Sequence, residues 1–461
     1  MSLLATFIVP HPPMILPEIG KGEEKKVQKT IDSYLEISKE IARLKPDTVI
    51  VISPHALAYS DCFYLSLSKT VKGSFQRFGV KSLGYEMAND VELTKSIIAY
   101  ANQNDIEIYT TPSKPDELEH GVMVPLYFIQ KFYQDFSLVR IPLSGLSMKM
   151  HYQMGQAILQ AVNEISKNVV IVASGDLSHK LTPEGPYGFA AEGPVYDQRI
   201  TEALETGDFY QLLTIDDLLY QKAADCGRKS FVIMAGALDG YSIEAKLLSY
   251  EGPFGVGYAV ASFYPLKQDS SRHFLLPFET FFTDTMNQIR KNEDAYVRLA
   301  RQSLEYFLEH HQTLSVPADL PEELTDNKAG VFVSLKIDHE LRGCIGTISP
   351  ITDCIAQEII HNAISAGMND PRFLPVQSDE LKNIVYSVDV LAAPEPVHDI
   401  IELDPVIYGV IVKYHQRSGL LLPNLEGVDT VEEQLSIALR KAGINPSDHY
   451  SIYKFKVIRH H

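Results

Sequence analysis

Between Leu4 and Leu266, short apolar runs rich in β-branched residues alternate with stretches of helical periodicity, and this alternation limits the fold more than any other feature. The runs ATFIV, DTVIVIS, IEIYT, FSLVRIP and NVVIVAS have the length and composition of buried strands. Val27, Ile31, Leu35, Ile41 and Leu44 recur at helical spacing until Pro46, and Met154, Ile158, Val162 and Ile165 form a second stripe. Strands alternating with helices predict an α/β domain around a central, largely parallel or mixed sheet. The polar stretch Lys267–Arg272 interrupts the pattern and sets expected domains at 1–268 and 276–461. Past it, residues 276–310 read as mostly helical, with Tyr296, Leu299, Leu304 and Phe307 among the apolar positions. Strand FVSLKI, helix CIAQEIIHNAISAGM, strand NIVYSVDVL, a hairpin through QRSG, helix VEEQLSIALRKAG and strand YSIYKFKVI follow. That order predicts an α+β second domain.

At 461 residues the chain can bury a core in each domain. Its 59 acidic residues against 41 basic give a net charge of −18, which repels polyphosphate, so neither nucleic acid nor an anionic membrane is expected as partner. Cys62, Cys226, Cys344 and Cys354 form no C-x-x-C pair. A disulfide framework is not expected, and a reducing, cytoplasmic setting is. The opening run MSLLATFIVPHPPMILP has no basic flank and carries four prolines, so it reads as neither export signal nor membrane span.

The chemistry lies where strands end. ATFIV runs into Pro10-His11-Pro12-Pro13, DTVIVIS into Pro54-His55, and NVVIVAS into Gly175-Asp176-Leu177-Ser178-His179. In open α/β sheets ligands bind outside the carboxyl ends of the strands, so three histidines from distant segments can converge. One histidine after a strand is ordinarily a turn or surface residue; three in the same placement point to a site. The flanking prolines hold His11 and His55 on stiff backbone. His120, in EHGVMVPL, suits a capping or core role equally well. Two neutral imidazoles with a carboxylate make the facial site of non-haem Fe(II) enzymes, and Zn²⁺ accepts the same ligands. Ser174, Asp176, Ser178 and His179 also raise a Ser-His-Asp hydrolase. Such close neighbours rarely face one another as a triad must, and no G-x-S-x-G elbow accompanies them.

The segments FIVPHPP, VISPH, EHGVMVPL and SGDLSH, in this order over about residues 4–265, resemble the catalytic subunit of class III extradiol aromatic ring-opening dioxygenases, the LigB type, and the related Memo proteins. The resemblance implies a metal-dependent oxidoreductase acting on a small catechol-like substrate with O₂. It implies His11 and His55 as metal ligands, His179 as the acid/base group beside the metal, and His120 as a second histidine that positions substrate or oxygen. The dioxygenases take a third ligand from a glutamate opening a late helix; this chain has Ala224-Asp225-Cys226-Gly227-Arg228 there. The CGR string resembles the Memo branch, where a cysteine occupies the metal site, which implies Cys226 as the third ligand. From the residues alone Cys226 is equally a packed core thiol, and Asp225 is the other candidate. Fe(II) is the expected cofactor, with zinc or copper as the alternatives a thiolate favours. Gly227→Glu is expected to return a carboxylate to the site. Two rival functions stand beside the dioxygenase: a non-catalytic Memo-like metal-binding or signalling module, and a zinc-dependent hydrolase.

ELRGCIGT at 340–347 and the later NDPRFLPV resemble the AMMECR1 family over roughly 280–460. Arg342 and Cys344, on an expected Gly-flanked turn, read either as a small-anion or thiol site or, preferably, as turn and packing residues. The pairing of the two modules resembles the A and B components of the AmmeMemoRadiSam system, which implies a radical-SAM protein as a partner in one pathway.

Overall fold

The structure, a computed structural model, describes residues 2–110, 117–337, 340–425 and 427–461. Contacts divide it into two units, Met1–Phe282 and Thr283–His461. In the first, strands β1 (Leu3–Val9), β2 (Thr48–Ser53), β3 (Ser137–Pro142) and β4 (Val169–Ser174) run parallel. The hairpin β5 (Tyr241–Glu251) and β6 (Tyr258–Gln268) joins β1 antiparallel, so the six-stranded sheet is mixed, in the order β3-β2-β4-β1-β6-β5. Successive residues of β2 feed opposite faces. Val49 and Val51 pack with Phe7, Val9 and Val172, while Ile50 and Ile52 pack with Ile8, Val139 and Ile171. A sheet covered on both faces needs unbroken apolar strands, which is why these runs do not alternate.

Helix α1 (Gln28–Leu44) buries Tyr34, Ile37 and Ile41 on one face, and α2 (Val91–Gln103) lies on the other. Helix α3 (His120–Ile129) has the carboxylate of Glu119 as its N-cap. Helix α4 (Met148–Glu164) buries Met154, Ile158 and Val162, and α5 (Arg228–Gly236) is buried along nearly its whole length. IEIYT stays out of the sheet. Only Ile108–Tyr109 pairs, with Phe63–Tyr64, and Tyr109 is exposed. With Glu107 between its two isoleucines, that run cannot be buried on both sides.

Phe278 of α6 (Leu275–Asn292) packs into the first unit's core, so the units part inside this helix, beyond the polar stretch at 267–272. No helix among the described residues is long and apolar enough to cross a membrane.

In the second unit α7 (Ala295–His310) is followed by β7 (Gly330–Ile337), β8 (Glu340–Gly346), α8 (Ile355–Met368) and β9 (Val385–Leu391). Then come β10 (Gly409–Tyr414), β11 (Arg417–Leu421), α9 (Val431–Ala442), β12 (Ser451–Phe455) and β13 (Val457–His460). One antiparallel sheet runs β8-β7-β9-β13 under α7 and α8; a second contains β12-β10-β11 and packs on α9. The LRGCIG string is strand β8, not a turn. Its glycines serve close approach: a Cβ on Gly343 would stand 2.2 Å from the Ala366 carbonyl of α8, and one on Gly346 2.2 Å from the Phe332 ring.

Candidate metal centre

Strand order places β4 between β2 and β1, so the three carboxyl ends open side by side. His11 leaves β1 through Pro10, whose carbonyl accepts a hydrogen bond from the Tyr34 hydroxyl at 2.5 Å. Its own N–H donates to Asp176 Oδ1 at 2.8 Å, joining the β1 and β4 loops. The buried His11 ring turns Nε2 to within 2.9 Å of His55 Nε2 and 3.7 Å of Cys226 Sγ. Potential ligand atoms of His11, His55 and Cys226 all lie within 4.8 Å of one another, and so do those of Asp176, His179 and Cys226. His120 stacks on His55 with ring centroids 4.3 Å apart and meets His11 edge-on at 5.4 Å. His11, His55 and Cys226 thus form one set, His120 packs on its two histidines, and His179 belongs with Asp176 to a second set that shares Cys226.

The site holds its imidazoles neutral. Burial pushes the His11 pKa well down, and His55 and His179 push it further. Burial, with His11 and His55 as like charges, lowers His120 to about 3. Burial lowers His55 and His179 as well, while Asp176 opposes the shift at both. Neutral imidazole is the form that binds metal. Asp176 is raised to about 6 by burial, and the Cys226 thiol is raised well above its ordinary range by burial and by Asp176 and Asp225. Cys226 Sγ accepts from Asp176 N–H at 3.3 Å.

Asp225 and the residues of the CGR string that follows it have distinct duties. Asp225 caps α5, accepting from Gly227 N–H and Arg228 N–H, each at 3.1 Å, so its carboxylate is committed to the helix end. Arg228 is fully buried and donates to the carbonyls of Leu212, Leu213 and Ile215, with Asp217 at 3.2 Å. Gly227 lies against Gly175; a Cβ there would stand 2.5 Å from Phe231 Cζ and 2.9 Å from the Asp176 carbonyl oxygen. Gly227→Glu therefore has no room, contrary to the expectation that it would return a carboxylate.

His179 lies beside the cluster with its ring stacked on exposed Tyr187 at 4.9 Å. Its Nε2 is buried with no hydrogen-bond partner among the described residues. Sequence reasoning missed Glu119, which accepts from Ser53 Oγ at 2.6 Å, and saw Ser174 and Asp176 only as members of an improbable triad. Their shared signal was the SGDLSH string itself, and for Glu119 its place just before His120.

Residues 5–261 match the family described as the catalytic LigB subunit of aromatic ring-opening dioxygenase, and residues 297–460 match AMMECR1. The chain belongs to the LigB family and carries an AMMECR1 domain. The protein CA_C1420 of Clostridium acetobutylicum is 44% identical over 471 residues, spanning 100% of this chain and 99% of that one. A Thermotoga maritima protein is 52% identical over 170 residues, 36% of this chain and 98% of its own. Among solved structures, PH0010 of Pyrococcus horikoshii is 35% identical with a TM-score of 0.34, over 36% of this chain and 88% of that one. JW3007 of Escherichia coli K12 is 13% identical with a TM-score of 0.41, over 56% and 99%.

In the AMMECR1 domain the arginines flanking Cys344 are already paired. Arg342 makes a two-pronged contact with Glu380 at 2.7 and 3.0 Å, and Arg372 one with Asp370 at 2.9 and 2.7 Å. Asp370 also accepts from Cys344 N–H at 2.9 Å, and Cys344 Sγ lies 3.2 Å from Ser334 Oγ. Charges neutralised in this way favour the packing role over an anion site.

Proposed function

We propose that the LigB domain is a metal-dependent oxidoreductase of the extradiol ring-opening type, with His11, His55 and Cys226 holding one metal ion. The observation that carries the reading is the convergence of these three donors, from two strand ends and a helix start, within 4.8 Å. Neutral imidazoles and a thiol suit a first-row metal, and the partnerless buried Nε2 of His179 marks a polar site beside them. Fe(II) bound there would supply the coordination of a catechol-like diol and the activation of O₂. Within the chain, His179 takes a substrate hydroxyl proton and returns it later, help worth roughly 10²–10⁴-fold. His120 lies over His55 and orients substrate. The AMMECR1 domain serves the same pathway, with a radical-SAM protein as its further partner, in the cytoplasm.

A second reading rests on one observation: a thiol occupies the place where a facial site has a carboxylate. Thiolate favours zinc or copper, which would make the domain a non-catalytic metal-binding or signalling module. The test is metal analysis of protein purified without added metal or chelator, then anaerobic Fe(II) loading and oxygen uptake with catechols. Oxygen consumption matching ring-opened product supports the oxidoreductase. Tightly held zinc or copper with no uptake supports the second reading, and zinc-dependent hydrolysis without oxygen would support a hydrolase.

A further inference from the structure

We infer that a proline in α3 fixes the tautomer of His11, through a carbonyl that it leaves free and the hydroxyl of Ser174. The inference deepens the proposed metal site and rests on it, since it concerns whether the His11 nitrogen that faces Cys226 and His55 carries a lone pair or a proton.

In an α-helix the carbonyl of residue 121 accepts from the N–H of residue 125. Here residue 125 is a proline inside α3, which has no N–H to give. The orphaned Gly121 carbonyl is instead met by Ser174 Oγ at 2.6 Å. A hydroxyl has one proton, so this bond uses it. The second contact of Ser174 Oγ, His11 Nδ1 at 2.9 Å, must then be one in which the oxygen accepts. The imidazole proton lies on Nδ1, and the lone pair lies on Nε2, 2.9 Å from His55 Nε2 and 3.7 Å from Cys226 Sγ. Ser174 is fully buried and His11 nearly so, which keeps these bonds away from bulk solvent.

The start of α3 is itself held. Glu119 accepts from Gly121 N–H at 2.5 Å and from Ser53 Oγ at 2.6 Å, and Ser53 Oγ lies 3.4 Å from the N–H of His55. Residue 121 must be glycine for this contact, because a Cβ there would stand 2.3 Å from Ser53 Oγ. The carbonyl that orients Ser174 is thereby clamped to the same strand end that carries His55. Ser174 is a positioning residue, and Gly121-x-x-x-Pro125 is the sequence device that aims it.

The test uses full-length protein labelled with ¹⁵N-histidine, without metal, the His11 signals being assigned by their loss in His11→Ala. The expected spectrum has His11 protonated at Nδ1 and bare at Nε2. Ser174→Ala should give a mixture of tautomers and weaken Zn²⁺ binding by ~10–100-fold, the usual effect of losing such an outer partner. Ser174→Thr, which keeps the hydroxyl, should restore both. Wild-type His11 protonated at Nε2 would overturn the inference whether or not any variant folds, and so would an unchanged tautomer and zinc affinity in Ser174→Ala. Zinc binding undiminished in His11→Ala would instead refute the metal-site reading; the metal-free tautomer is judged separately.

Discussion

Gly227→Ala should loosen the metal centre without touching a donor atom. The new methyl would enter at 2.5 Å from Phe231 Cζ and 2.9 Å from the Asp176 carbonyl oxygen, against an ordinary limit near 3.4 Å. Phe231 is fully buried and the other neighbour is backbone, so neither yields cheaply. Overpacking of this kind costs about 1–3 kcal/mol. At ~2.1 cal/mol/K per residue, the 282 residues of the first unit unfold with an entropy near 0.6 kcal/mol/K, so its midpoint should fall by about 2–5 °C. The strain is relieved by moving either the Cys226 loop or the Asp176 loop, and both border the site. Zn²⁺ affinity should therefore fall along with the midpoint. The assay is circular dichroism against temperature, paired with zinc titration at fixed pH. An unchanged midpoint and affinity would refute the argument that the glycine exists for close approach. Gly227→Glu should be worse in both measurements and gain no ring-opening activity.

Further expectations follow from named contacts. His11→Ala and His55→Ala should each lower metal occupancy at least ~10-fold with unchanged circular dichroism, whereas His179→Gln should keep metal and lose ~10²-fold or more in turnover; loss of metal in His179→Gln equal to that in His11→Ala would make His179 a ligand. Arg228→Leu should cost ~3 kcal/mol or more, about 1 for each of the three carbonyls left dry, while the folded fraction binds metal normally, as denaturant titration and metal analysis would show. In the AMMECR1 domain, hydrogen bonds from Arg372 hold the Asp370 carboxyl well below its usual range. That stabilisation is complete above the unfolded pKa of ~3.9 and fades as pH falls through the lower folded value. Asp370→Asn should cost about 1–3 kcal/mol at pH 7 and show a shallower loss of stability below pH ~4, measured by urea unfolding across a pH series.

The strand ends were legible because burial on both faces forces unbroken apolar runs, and proline and histidine at their termini stand out against them. Convergence of His11, His55 and His179 needed only the rule that ligands collect at carboxyl ends. Strand order was not legible: the placing of β4 between β1 and β2 depends on how α1 and α4 cover the two faces. The outer strand β5 went unread because it is half-exposed and mixed in character. Glycine roles were misread at Gly227, Gly343 and Gly346. A sequence reports a missing side chain but not what lies opposite it, and the same letter serves a turn or a close approach. The Pro125–Gly121–Ser174 connection joins segments some fifty residues apart through one carbonyl, and no local pattern announces it.

The central claim is that His11, His55 and Cys226 share one metal ion, and X-ray absorption at the metal edge of the purified, unchelated protein tests it most directly. The account predicts one sulfur and two imidazole nitrogens around the metal, at ~2.3 Å and ~2.0–2.1 Å where that metal is zinc, and loss of the sulfur in Cys226→Ser. A shell of oxygen and nitrogen alone, unchanged by that substitution, would contradict it.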